Sequence, residues 1–159
     1  MSVLSPEQFQ RLLPLAVVWA EKQERYILDN GISLQDSVMA DAKRAGVAHP
    51  EHVRILAVPT IPLPEDWQLR SAAEATSLIT PSTYGITFRY GIFIRSDCLG
   101  DRHLLVHELA HTAQYERLGG MHAFISQYLW ECNTIGYPLA PLEQEAVRTA
   151  AAICQTGDV

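Results

Sequence analysis

The chain has 159 residues, 18 of them acidic against 12 Lys/Arg, for a formal net charge of −6. That length fits one compact domain, and the absence of a basic cluster excludes nucleic acid as an expected partner. Lys/Arg-poor MSVLSPEQFQRLL offers no basic leader, and the apolar run from Leu12 to Ala20 is flanked by charges and interrupted by Pro14, so neither a signal peptide nor a membrane span is expected.

Three cysteines, Cys98, Cys132 and Cys154, are odd in number and too far apart for a CxxC knuckle. They read as free thiols in a reducing compartment, which makes a cytoplasmic location the expectation and a thiolate ligand a weak one. No repeat or linker divides the chain, so residues 1–159 are expected to form a single domain. Its helical N-terminal segment is 1–50, and 51–159 carries the sheet and the C-terminal helices.

Ser5-Pro6-Glu7 supplies an N-cap, a proline suited to the first helical position and an early acid, predicting a helix to about Leu28 with a kink at Pro14 and a stop at Asn30-Gly31. Ser33 is expected to cap a second helix through Ala45, ended by Gly46. The run from Val53 to Val58 is β-rich and closed by Pro59, and a short helix is predicted at Leu69 to Ala75 within turn-rich flanks from Pro62 to Ser82. From Ile86 to Arg95, near-alternation of apolar and polar residues predicts a hairpin or one bent edge strand, with Gly91 at a tight turn or bulge. Three helices follow: Asp101 to Leu118, ended by Gly119-Gly120; Met121 to about Thr134, ended near Gly136; and Leu142 to Cys154, entered through Pro141. The expected class is α+β, with a small, mostly antiparallel sheet and a helical C-terminal half.

The chemistry is concentrated in the last third. His107-Glu-Leu-Ala-His111 places two imidazoles four residues apart, which on a helix aligns them on one face, about 6 Å apart along the axis, where both can reach one ion. Glu108 leaves the same turn in another direction, suiting a carboxylate beside a metal-bound water rather than on the metal. A helical histidine is more often solvated or hydrogen-bonded than a ligand; two histidines with the intervening glutamate at this spacing shift the balance to metal. A catalytic zinc takes three protein ligands and keeps one open position, so a third donor is required. Glu143 and Glu145, in Pro141-Leu-Glu-Gln-Glu-Ala-Val147, are candidates, although acids in a first helical turn also serve the helix dipole. His122 is the rival. It would suit the longer HExxHxxGxxH pattern, but Gln114 and Arg117 occupy that pattern's glycine and third-histidine positions.

Taken together, HELAH, the preceding GITFRYGIFIR and the following PLEQEA resemble gluzincin zinc metallopeptidases, nearest to the minigluzincins and the CAAX prenyl proteases, over about residues 84 to 154. The resemblance implies a zincin-like fold, Zn²⁺ as cofactor and a peptide or protein substrate. It also implies His107 and His111 as ligands and Glu108 as general base. Glu143 is implied as the third ligand, with Ala146 matching the family's alanine and Glu145 as the fallback. It further implies that the strand around Ile92 to Arg95 forms the upper rim of a cleft. An aspartate usual in these families four residues after the ligand glutamate is Val147 in this chain.

Candidates to stabilise a developing oxyanion are Tyr115, Tyr128, Tyr137 and His103, with Tyr137 preferred for its closeness to PLEQEA. Two other readings stand beside the peptidase: a metal-binding module without efficient hydrolysis, and a metal-free helical interaction domain. The N-terminal helices are expected to pack behind the site, with an inhibitory segment as the alternative. Oligomeric state is left open.

Overall fold

A computed structural model describes residues 2–80 and 82–156; the outermost residues of the expected 1–159 domain, 1 and 157–159, lie outside them. The chain begins with α1 (Pro6–Asn30), whose start is a full capping box. Ser5 Oγ accepts from the Gln8 amide at 3.1 Å, and the Gln8 side chain accepts from the Ser5 amide at 2.8 Å. Pro14 lies on the exposed side and the helix runs on through it. At the far end Gly31 passes so close to neighbouring backbone that a Cβ there would sit 2.7 Å from the Ile27 carbonyl and 2.8 Å from that of Ile55, which explains the glycine.

Ser33 does not cap the second helix. It pairs with Arg54 in a two-residue strand, β1 (Ile32–Ser33), and buried Leu34 draws the chain inward, so α2 (Asp36–Arg44) starts two residues later than expected, from Gln35. Then come β2 (Arg54–Val58), α3 (Trp67–Ala75), capped by Asp66 on the Leu69 amide, and the hairpin β3 (Gly85–Phe88) and β4 (Gly91–Arg95). The turn of that hairpin is Arg89-Tyr90, with Arg89 at φ 57, rather than Gly91. It is pinned to α1 by buried Glu24, which accepts from the Arg89 guanidinium at 2.8 and 2.7 Å and from the Tyr90 amide at 3.0 Å. Gly91 instead marks a close helix–strand approach, since a Cβ there would meet Ile27 Cβ at 3.0 Å.

The sheet order is β1-β2-β4-β3. Its two outer pairs are antiparallel, and β2 and β4 run parallel in register from Arg54 opposite Gly91 to Val58 opposite Arg95, so the sheet is mixed. The reason is topological: the chain leaves β2, passes α3, lays down β3 as an outer strand, and turns back to insert β4 between β3 and β2. Alternation on β4 serves two cores. Phe93, with Phe88, packs among α1 and α5 residues such as Val17, Ile27 and Phe124; Ile92 and Ile94 pack on Leu109 and Ala113.

Those last two residues belong to α4 (Arg102–Leu118), capped by Asp101 at its start and ended by Gly119 in the left-handed region at φ 107. α5 (Met121–Thr134) and α6 (Pro141–Thr156) complete the expected helical end, and α6 packs along α4, where Val106 meets Ala150 and Ile153. The class is α+β. Among the described residues no helix is long and apolar enough to cross a membrane. Cys98 and Cys132 are free thiols, and among the described residues no cysteine joins a group able to hold a metal.

Candidate metal centre

On α4 the face toward α5 and α6 carries half-buried His107 with buried His111 and Gln114, spaced four and three residues apart as a helical face requires. The two imidazole rings lie 5.0 Å apart at 78° to one another. Between them enters Glu143 from the first turn of α6, with Oε1 2.7 Å from His107 Nε2 and Oε2 3.1 Å from His111 Nε2. The opening of α6 is fixed from below by buried Glu131, whose carboxylate accepts from the Leu142 amide at 2.9 Å. Thus α5 orients the turn that delivers Glu143 to α4.

Electrostatics follow from this enclosure. Burial opposes charge on Glu143, but hydrogen bonds from His107 and His111 and their positive field overcome it and hold the carboxyl far below its ordinary range. Burial likewise opposes charge on His111, and its bond to Glu143 with the fields of Glu108 and Glu143 prevails and raises it. Two phenols complete the ring. Tyr128 donates to Glu143 Oε2 at 2.7 Å and Tyr137 to Oε1 at 3.3 Å, and burial beside this carboxylate pushes both phenols well above their usual range.

Glu108 reaches toward β3 while its charge still acts on His111. Thr87 Oγ1 lies 2.8 Å from Glu108 Oε1 and 3.0 Å from its backbone carbonyl, while Gly85 approaches so closely that a Cβ there would lie 3.3 Å from Glu108 Cγ. The site sits where two lobes of a cleft meet. An open, hydroxyl-rich lobe is lined by residues such as Thr80, Thr83 and His103; a more enclosed apolar lobe runs between Ala16, Trp19, Leu69 and Phe88. His107, Glu108, Tyr137 and Glu143 border both.

No family model, no curated protein and no solved structure matches this chain. The reading of the site accordingly stands on its donors. His107, His111 and Glu143 each offer a ligand atom within 4.8 Å of the others. Ligand atoms at about 2.0–2.1 Å around a tetrahedral zinc stand roughly 3.3 Å apart, and Glu143 approaches the imidazoles through different oxygens, Oε1 at 2.7 Å from His107 and Oε2 at 3.1 Å from His111, so admitting the ion would open these contacts by about 0.6 and about 0.2 Å. Two imidazoles and one carboxylate are a donor set that suits zinc. A second three-residue group, His49, Glu51 and His52, is exposed, and its rings stack at 13°, so their in-plane lone pairs run parallel instead of converging.

Several sequence-based expectations are redistributed. Glu145 is not in the cluster; its carboxylate accepts from Gln114 at 2.9 Å and Arg117 at 2.8 Å. His122 is exposed on α5 beside Ser126. Tyr115 is fully buried: its ring contributes to the wall of the apolar lobe, but its hydroxyl is spent on the Thr87 carbonyl, whereas His103 is exposed at the open lobe. The stretch Ile92 to Arg95 is not a rim: as β4 it is paired on both sides, and the edge strand beside Glu108 is β3. Val147 is 41% exposed.

Thr87, Glu131 and Gln114 went unassigned from sequence. Thr87 and Glu131 carry no local signal, since their roles need β3 beside α4 and α5 beneath α6. Gln114 was visible: it is three residues after His111, on the same helical face.

Proposed function

We propose that this protein is a zinc-dependent metallopeptidase of the zincin-like type, in which His107, His111 and Glu143 hold the metal and Glu108 acts as general base. The observation that carries this reading is the meeting of three ligand atoms from α4 and α6 at one point, with an independent carboxylate one residue along α4 facing the cleft. When bound, zinc supplies Lewis acidity toward a carbonyl oxygen and makes a water acidic near neutral pH.

The chain's own residues do the rest. Glu108 takes a proton from the attacking water and returns it to the leaving amine; Thr87, by bonding Oε1, fixes the carboxylate's orientation and leaves Oε2 for that exchange. Tyr137, which borders both lobes, gives up its 3.3 Å bond to Glu143 Oε1 and turns its hydroxyl to the substrate oxygen as charge develops there. An extended peptide pairs with β3. Because Arg95 bonds to the Tyr84 carbonyl, the alternation of an antiparallel ladder turns the backbone groups of Gly85 outward, next to Glu108.

The binding-module reading draws on Val147, which places no carboxylate behind a histidine, and the interaction-domain reading on a cluster whose buried polar atoms are all satisfied without an ion. Metal analysis of chelator-treated protein restored with zinc, followed by Glu108→Gln against a peptide library, separates the three. About one equivalent of zinc with cleavage that the variant loses by 10²-fold or more supports the peptidase. Less than half an equivalent sinks both metal readings, and zinc uptake without cleavage leaves the module.

A further inference from the structure

Behind His111 lies a network that no local motif specifies. Gln114, 1% exposed, places Oε1 2.7 Å from His111 Nδ1, while its Nε2 reaches two groups on α6, the Leu142 carbonyl and Glu145 Oε1, both at 2.9 Å. A backbone carbonyl and an ionised carboxylate can only accept, so the amide nitrogen of Gln114 is committed to them and its oxygen must face the imidazole. An amide oxygen is an acceptor, and therefore His111 Nδ1 must carry a proton. Arg117 at 2.8 Å keeps Glu145 in place at the outer end of the chain of bonds. We infer that Gln114 is a positioning residue which sets His111 in the Nδ1–H form, with Nε2 turned to the metal, and ties that ring to the α6 turn bearing Glu143.

This inference rests on the metal reading above and deepens it. A carboxylate behind a ligand histidine orients the ring and raises its basicity; the amide of Gln114 supplies the orientation without the added charge, and does so from α4 itself instead of from the position of Val147. The residue that breaks the longer histidine pattern at position 114 thereby acquires a use.

Zinc affinity, read by competition with a chromophoric chelator, and ¹⁵N–¹H correlation of the histidine rings test it. In zinc-loaded wild-type protein His111 should show a metal-bound Nε2 and a slowly exchanging Nδ1 proton. Gln114→Leu should bind zinc about tenfold or more weakly while still folding. The paired exchange Gln114→Glu with Glu145→Gln keeps an acceptor toward His111 and a donor from position 145 toward the new carboxylate, giving up the bond to the Leu142 carbonyl, and should bind zinc more tightly than Gln114→Leu. A folded Gln114→Leu with unchanged affinity overturns the assignment, as does wild-type His111 bound through Nδ1. Should Gln114→Leu fail to fold, the ring pattern of the wild-type protein decides. Wild-type protein that takes up no zinc removes the metal reading, and this role with it, and is told apart because no substitution is needed to see it.

Discussion

Replacing Glu143 with alanine removes the one acid that satisfies two imidazoles and two phenols at once. Glu143 is 5% exposed and His111 6%, so the histidine charge held by that carboxylate would be left without its partner inside the protein. Breaking a buried pair by deleting one member costs about 3–5 kcal/mol, which in a domain of this length lowers Tm by roughly 6–20 °C. The measurement is urea or thermal unfolding of metal-free protein in chelator at pH 6, followed by repetition with zinc. Wild-type protein should gain about 2.7 kcal/mol when free zinc exceeds its Kd a hundredfold, and Glu143→Ala markedly less at the same concentration. If the metal-free variant unfolds within about 1 kcal/mol of wild type, Glu143 is not clamped as described and the site loses its central acid.

The same pair gives metal-free protein a pH window. Glu143 is held below its ordinary 4.5, so its contribution is complete above that pH and is lost as pH falls through the folded value; His111 is raised above 6.5, so its share is complete below 6.5 and is lost as pH climbs past the folded value. Unfolding free energy should therefore peak between these limits for this pair, and a profile flat from pH 5 to 9 would contradict it. Zinc affinity should instead rise with pH, because the metal displaces a proton from the site. Thr87→Val, which frees Glu108 Oε1, is expected to lower kcat about tenfold with zinc affinity unchanged, and equal kcat would show that Thr87 orients nothing. Asp101→Ala strips the cap from α4, whose Oδ1 accepts from the Leu104 amide at 3.0 Å; a loss of about 1 kcal/mol by thermal melt is expected, and no change would place the start of the helix elsewhere.

The sequence by itself determined what short-range physics controls. Ser5-Pro6 and Gly119-Gly120 bound helices because caps and left-handed ends act within one turn, and His107 and His111 share a face because helical pitch alone puts them there. It also offered the acids at the opening of α6, with His122 as their rival, as candidates to join the two imidazoles. Tertiary structure decided whatever needed two elements side by side. Glu143 and Glu145 are equivalent in sequence, both acids at the start of a helix; which of them reaches the imidazoles depends on the angle at which Glu131 fixes that turn and on which face of α6 meets α4. The parallel β2–β4 pair, and with it the choice of β3 as the edge beside Glu108, came from insertion of a strand between two others. Such an insertion leaves no periodic trace along the chain, because strand order is set by long-range packing, whereas alternation reports only which side chains turn inward.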